Sequence, residues 1–402
     1  VPKNIHSLNS FFGRESFFIF MAGSLLANHP HCSSKILPMK YPFHIERTET
    51  SRLGTVNFKD LAFGKLYGDH MFVAECKKGK WTDCKITPYG NLYFSPASSA
   101  LHYGQIIFEG MKAYKDPDGH AQLFRPEQNH KRFNVSAARM GMSEIPQELW
   151  LDALHELINL DQEWIPEEEG CSLYVRPFMF ATDRFIGIRP TEFFKFIIIT
   201  SPAGFYYAKP VKVIASDHYV RAFHGGVGFA KAAGNYGATM LPLKEAQQQG
   251  FDQVLWTDGL EHKYAQEIGT MNVFFMLDGV AVTPELDGTI LDGITRDSVI
   301  QLLHSYGTPV EVRQISLDEI ADAHKKGLFT EAFGTGTAAS IAPISHVGYK
   351  GAVMQLPPAA EWEYSTRLKH DLEAIKTSRL PDPFGWVVKV KSKLVPEEAP
   401  IM

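Results

Sequence analysis

The sequence predicts an α/β chain of the mixed α+β type, folded as two domains with a cleft between them. Three observations carry this. The chain has 402 residues, a length that favours two domains with sizeable cores, and its composition of 45% hydrophobic and 21% charged residues is that of ordinary globular protein. Strand-like and helix-like patterns alternate without internal repeats or low-complexity tracts. One short run of Pro, Gly and aromatic residues, SPAGFYYAKP at 201–210, divides the pattern as an interdomain linker and possible lid would.

In chain order, residues 1–38 read as an extension outside the catalytic fold. Their apolar run at 16–27 has the length of a signal-peptide core and is too short to span a bilayer, so a cleaved targeting segment is the alternative. The His-Pro-His-Cys run at 29–32 lies in this loosely patterned leader and is not read as a metal site. A small domain is expected over 39–200. It should hold a strand at 71–75, a helix whose apolar Phe133, Ala137 and Met140 face the core, and a buried strand at 193–200.

A large domain over 211–390 should start with the strand VKVIAS at 211–216, leaving a tail at 391–402. Asp278 and Gly279 separate two apolar runs and tolerate positive φ, which predicts a two-residue hairpin. Ser316 and Glu319 have capping-box spacing, and Gly327 ends that helix.

Four segments point to chemistry. Lys231 is a single amine among small and apolar neighbours in GFAKAAGNYG (228–237), a setting that disfavours the ammonium form and leaves room for a flat ring. It is either a Schiff-base lysine or an ordinary surface lysine between glycine turns. Glu267, before a Gly-Thr step, is either a carboxylate pairing with a protonated pyridine nitrogen or a solvated strand end. Gly293, Ile294 and Thr295 open a helix whose free N–H groups either bind a phosphate or are simply capped. FGTGTAAS at 333–340 matches a dinucleotide pattern, but no acidic residue lies about twenty positions on. Its N–H groups and hydroxyls suit a phosphate edge or a substrate carboxylate instead.

At this point a family resemblance is explicit. LHYGQIIFEGMKAY (101–114), LFRPEQNHKRF (123–133), SLYVRPF (172–178), GFAKAAGNYG, QEIGTMN (266–272), LDGITR (291–296) and GTGTAA (334–339) stand in the order found in branched-chain amino-acid aminotransferases of fold type IV. The chain resembles that family from about residue 39 to about residue 390.

The resemblance implies a pyridoxal 5′-phosphate enzyme that exchanges amino groups between leucine, isoleucine or valine and 2-oxoglutarate. Lys231 would carry the cofactor and shuttle the proton, Glu267 would pair with the pyridine nitrogen, and Tyr236 would bond the ring's phenolic oxygen. The phosphate would fall to Arg132, Ile294, Thr295 and Thr335, with Thr270 also in the cofactor site. Arg125 is a rival to Arg132, although its place before Pro126 suggests a solvated cation or one paired with Glu127. Thr337 and the backbone of Ala338 would hold the substrate α-carboxylate, with Tyr103 matching a tyrosine beside them. Phe63, Phe108, Met271 and, across a homodimer interface, Tyr174 would line the side-chain pocket. Where some animal members have Cys-x-x-Cys, this chain has Ala339 and Ala342, which excludes a redox switch there. A D-amino-acid aminotransferase or aminodeoxychorismate lyase on the same fold is the nearest rival, and EGMKAY and SLYVRPF argue against it.

Other partners find little support. A net charge of −5 with mixed signs offers no basic stripe for nucleic acid, and no segment is long enough for a membrane span. Cys32, Cys76, Cys84 and Cys171 show no Cys-x-x-Cys spacing and read as reduced thiols of a cytoplasmic protein.

Overall fold

Two nine-stranded sheets dominate the computed structural model, which describes residues 40–204 and 209–393. The leader read at 1–38 and the linker core at 205–208 lie outside the described residues. All described residues belong to one unit, Pro38–Met402.

The first sheet runs His44–Ile45, Lys80–Pro88, His70–Lys77, Phe193–Ala203, Ser172–Ala181, Met111–Lys115, Ala121–Phe124 and Val387–Lys389, with Ile106–Phe108 also paired to Ser172–Ala181. Its longest ladder joins Ser172–Ala181 antiparallel to Phe193–Ala203 over ten residue pairs, with Ile197 and Ile198 fully buried. Helices Pro126–Arg139 and Gln147–Leu160 cover one face through Phe133 and Trp150, whose rings meet at 5.2 Å and both contact Phe196. Phe133 and Ala137 are buried as expected, because residues four apart share a helix face.

The second sheet closes on itself. Strands Ala265–Ile268, Gln253–Thr257, Val211–Ala215, Ser340–Tyr349, Phe329–Gly336 and Met271–Leu277 pair in succession, and the last pairs back to the first through Glu267 and Ile268. Val280–Thr283, Val310–Val312 and Ala352–Gln355 extend this six-strand ring. Met271–Leu277 is buried on both faces. Val273 and Phe275 join one apolar cluster, while Phe274 and Met276 join another with helices Ile294–Ser305 and Tyr364–Lys376. The second cluster also holds Tyr114, Phe124 and Trp386, so apolar packing runs from one sheet into the other.

Asp278 and Gly279 have φ of 50° and 77°, the double positive φ that the hairpin requires. Ser316 accepts a bond from the Glu319 N–H at 3.1 Å, and Gly327 has φ 69°.

Two boundaries differ from the sequence reading. The strand expected to stop at residue 200 continues to Ala203, because Ser201, Pro202 and Ala203 pair with Tyr174, Leu173 and Ser172. Pro is tolerated there since partners can be lost near a strand end. The segment Val387–Lys389, placed with the second half, instead completes the first sheet by pairing with Gln122, Leu123 and Phe124. Periodicity cannot show this, because a three-residue strand is defined only by its partner.

Candidate active site

A cleft of about 630 Å³ opens between the sheets. Ile106, Phe108, Tyr174, Arg176, Phe178 and Ile199 line it from the first sheet, and Met271, Gly336 and Thr337 from the second half. Lys231 lies in it. Its main chain is fastened to the first half: its N–H donates to Ser136 Oγ at 2.8 Å, and its carbonyl accepts from the Phe108 N–H at 3.1 Å. With the backbone held at both ends, the side chain has a defined origin.

The Lys231 Nζ donates to the Tyr236 hydroxyl at 2.9 Å and sits 4.5 Å from the centre of the Phe108 ring. Tyr236 is carried by the short helix Ala233–Gly237, and its ring packs on Phe108 at 4.7 Å. The amine is therefore held by one hydroxyl and two aromatic faces, with no carboxylate in ion-pair contact among the described residues. An amine so placed can attack a carbonyl carbon or move a proton once it is neutral.

Glu267 is 2% exposed on the strand Ala265–Ile268. Asn272 Nδ2 donates to its Oε1 at 3.0 Å, while Oε2 lies 2.7 Å from Arg221 Nε. That second contact is an ion pair but not a well-directed hydrogen bond, and Oε2 remains an unsatisfied buried acceptor. Burial raises the Glu267 pKa, and the Arg221 charge opposes the rise without overcoming it.

The helix Ile294–Ser305 begins at Gly293, and among the described residues no side chain caps it. A Cβ at Gly293 would fall 1.8 Å from Asn272 Oδ1, so only glycine allows this approach. Asn272 also donates to the Leu291 carbonyl at 2.8 Å, tying the helix start to Glu267. Ile294 and Thr295 line a small cavity that shares Gly110 and Thr337 with the main cleft. Thr335, opposite Asn272 in the ladder, buries an Oγ1 with no hydrogen-bond partner among the described residues.

An amine, a buried carboxylate with an open oxygen, a buried hydroxyl without a partner and an uncapped helix start fit pyridoxal 5′-phosphate. The first two match its aldehyde and ring nitrogen, the last two its phosphate.

Both arginines reach the helix start. Arg132 donates from Nε and Nη2 to the two oxygens of the fully buried Glu109, at 2.7 and 2.8 Å, and from Nη1 to the Asp292 carbonyl at 2.9 Å. Glu109 is held below its ordinary pKa: burial works to raise it, and the Arg132 charge prevails. Of five guanidinium N–H groups, these bonds leave two for an anion. Arg125 is not solvated, nor paired with Glu127. It meets Asp297 at 2.6 Å, Ser298 Oγ at 2.7 Å and the Ile294 carbonyl at 3.3 Å. Its backbone takes φ 52° before Pro126 instead of the extended conformation usual there.

Phe63, Phe108, Tyr174, Thr270, Met271, Thr337 and Ala338 all line the cleft. Thr337 Oγ1 donates to the Gly110 carbonyl at 3.0 Å. Tyr174, expected from across a homodimer interface, lines the cleft of its own chain, its ring 4.9 Å from Phe63. Its strand, central in the first sheet, points alternate residues at the cleft. Tyr103, at the end of the helix Ser99–Tyr103, is 41% exposed and does not line this cleft.

Sequence reasoning missed Arg176, Arg221, Glu109 and Asn272. Arg176 was within reach, because it stands two residues from Tyr174 and so shares its strand face. The others have no local signal.

A family model described as amino-transferase class IV matches residues 106–347. The chain is 43% identical over 356 residues to branched-chain-amino-acid transaminase 1 of Bacillus subtilis (strain 168), covering 87% of this chain and 98% of that one. It is 42% identical to a branched-chain-amino-acid aminotransferase of Mycolicibacterium smegmatis, covering 82% and 92%. Among solved structures it resembles the Escherichia coli branched-chain amino acid aminotransferase, with TM-score 0.66, 26% identity, and 81% and 100% coverage. It also resembles the T.th. branched-chain amino acid aminotransferase with pyridoxamine 5′-phosphate, with TM-score 0.65, 27% identity, and 81% and 100% coverage.

Proposed function

The chain belongs to the branched-chain amino-acid aminotransferases of class IV, and we propose that it exchanges amino groups between leucine, isoleucine or valine and 2-oxoglutarate, using pyridoxal 5′-phosphate. The observation that carries this reading is the Lys231 amine, 2.9 Å from the Tyr236 hydroxyl in an otherwise largely apolar cleft.

When bound, pyridoxal phosphate supplies an aldehyde carbon for an amine and a ring that takes up electrons. Lys231 Nζ, once neutral, would take the proton from the substrate α-carbon and hand it on within the same half-reaction, so that the amine is neutral again for the reverse one. Tyr236 orients that amine. Glu267 would face the ring nitrogen, with the Arg221 charge beside it opposing the upward push of burial on its pKa. Arg132, Thr335 and the helix start at Gly293 would hold the phosphate.

Phe63, Phe108, Tyr174 and Met271 exclude water around a branched aliphatic side chain. The same cleft must also accept glutamate. Arg176 suits it: its guanidinium lines the cleft, donates to the Tyr174 hydroxyl at 2.8 Å, and has no carboxylate partner among the described residues.

A homodimer is part of the proposal. Tyr93 and Ile188 are 97% and 92% exposed, near exposed Leu101 and Ile186, and a bridge between Ser98 and Arg184 joins their segments. Exposed apolar side chains on two joined segments are suited to a second copy. Sedimentation as a monomer at micromolar concentration would remove this part. The free thiols of Cys76, Cys84 and Cys171 support a cytoplasmic setting. Among the described residues no helix is long and apolar enough to cross a membrane.

The test is a visible absorption spectrum of the cofactor-loaded protein. L-leucine should abolish the band and 2-oxoglutarate should restore it. A response to D-amino acids and none to L-leucine would overturn the substrate assignment.

A further inference from the structure

The turn at 337–339 joins the strands Phe329–Gly336 and Ser340–Tyr349, and it rests on buried cations. Lys112, on the strand Met111–Lys115, is 8% exposed and donates from Nζ to the Ala338 carbonyl at 2.9 Å. Two residues earlier, the Gly110 carbonyl accepts from Thr337 Oγ1. One segment at the edge of the first sheet's strand Met111–Lys115 thus holds two of the turn's three residues, Thr337 and Ala338.

The far end of the turn is held from the helix Tyr364–Lys376. Ser340, at φ 53°, donates to Glu373 Oε1 at 2.5 Å and accepts from Lys376 Nζ at 2.8 Å, and Lys376 Nζ meets Glu373 Oε1 at 3.0 Å. The only carboxylate in this group is therefore engaged by Lys376 and Ser340. Lys112 has no carboxylate in ion-pair contact among the described residues. A buried ammonium satisfied only by a neutral carbonyl is costly, and the cost is offset where an anion binds on the other side of that carbonyl's turn.

We propose that Lys112 is a positioning residue for the substrate's α-carboxylate: it fixes the Thr337–Ala338 turn through the Ala338 carbonyl and places a positive charge behind the N–H groups that receive the anion. This rests on the reading that the turn holds that carboxylate.

The group is built to titrate. Burial pushes the Lys112 ammonium down to about 8, with Glu373 opposing and Lys376 adding to the shift. The titratable and charged groups around it are Glu373 and Lys376 on the helix, Cys171 and Tyr174 from the neighbouring strand and its lead-in, and Tyr114 on its own strand. Below pH 7 the charge is present, and as pH rises through 8 it is lost, so carboxylate affinity should fall over that window.

The experiment is calorimetric binding of 4-methylpentanoate, and of the neutral 4-methylpentanamide, to the cofactor-loaded protein between pH 6.5 and 10. For the wild type, carboxylate affinity should drop on the order of tenfold across pH 8, as for one lost charge-assisted contact. The amide should show no such step. Lys112→Met should bind the carboxylate weakly at every pH and lack the step, and Lys112→Arg should bind tightly to the alkaline end. Equal loss for acid and amide, or a step that persists in Lys112→Met, overturns the proposal. So does a wild type that transaminates leucine yet binds the carboxylate without a step. Failure of the wild type to transaminate L-leucine overturns the functional reading beneath it.

Discussion

Arg221 and Glu267 form an ion pair of 2.7 Å in which neither side chain is more than 5% exposed. Burial raises the Glu267 pKa, and Arg221 is the chief force against that rise. Removing Arg221 therefore removes the main force that opposes protonation of Glu267.

Arg221→Met should slow the first half-reaction with leucine about as much as Glu267→Gln, by several kcal/mol of barrier at ~1.4 kcal/mol per tenfold. Because both substitutions act through the same carboxylate, the double variant should be little slower than either single one. Stopped-flow single turnovers measure all three, and wild-type rates in Glu267→Gln would remove its role. The sign of the pH effect also follows. A raised carboxyl pKa means that acidification neutralises Glu267 before ordinary carboxylates, so the half-reaction should fade above the usual carboxylate range.

Lys231→Ala should abolish turnover while the protein folds and keeps some cofactor, because Glu267, Arg132 and the helix start remain. Borohydride reduction and peptide mapping should tag Lys231. A tag on Lys209, Lys212 or Lys244 would end the assignment.

Arg132→Ala should weaken pyridoxal phosphate binding by about 1.5–3 kcal/mol, for a charge-assisted bond, and pyridoxal binding far less. It should also lower stability by about 3–5 kcal/mol, since Glu109 would be left as a buried unpaired carboxylate. Arg125→Ala should cost less of both, because its partner Asp297 is 45% exposed and can be solvated. Titrations of the apo-protein with both ligands, alongside thermal melts, separate the two effects. Equal loss for both ligands in Arg132→Ala would make its role structural.

Glu373 is pulled down to about 2, because Lys376 and Lys112 outweigh the upward push of burial. A depressed carboxyl contributes stability that is full above its ordinary pKa of 4.5 and lost as pH falls toward 2. Glu373→Gln should therefore be less stable than wild type by ~2–3 kcal/mol at pH 7, and the gap should close below about pH 3. Parallel melting curves that keep a constant gap down to about pH 2.5 would contradict this.

What the chain determines by itself is local or carried by motif order. The Asp278-Gly279 hairpin, the Ser316–Glu319 cap and the glycine-led helix start depend on a few adjacent residues, so their composition suffices to specify them. Lys231, Glu267 and the Thr337–Ala338 turn were legible as well, each marked by a short segment of unusual neighbours. The tertiary structure alone decided who partners whom. Arg221 meets Glu267, Arg132 meets Glu109, and Lys112 meets Ala338 only because strands and helices distant in sequence are packed together. It also turned Arg125 toward the helix start, placed Tyr174 in its own chain's cleft and left Tyr103 at the surface. Charge pairing is a property of distance in space, and no periodicity along the chain encodes that distance.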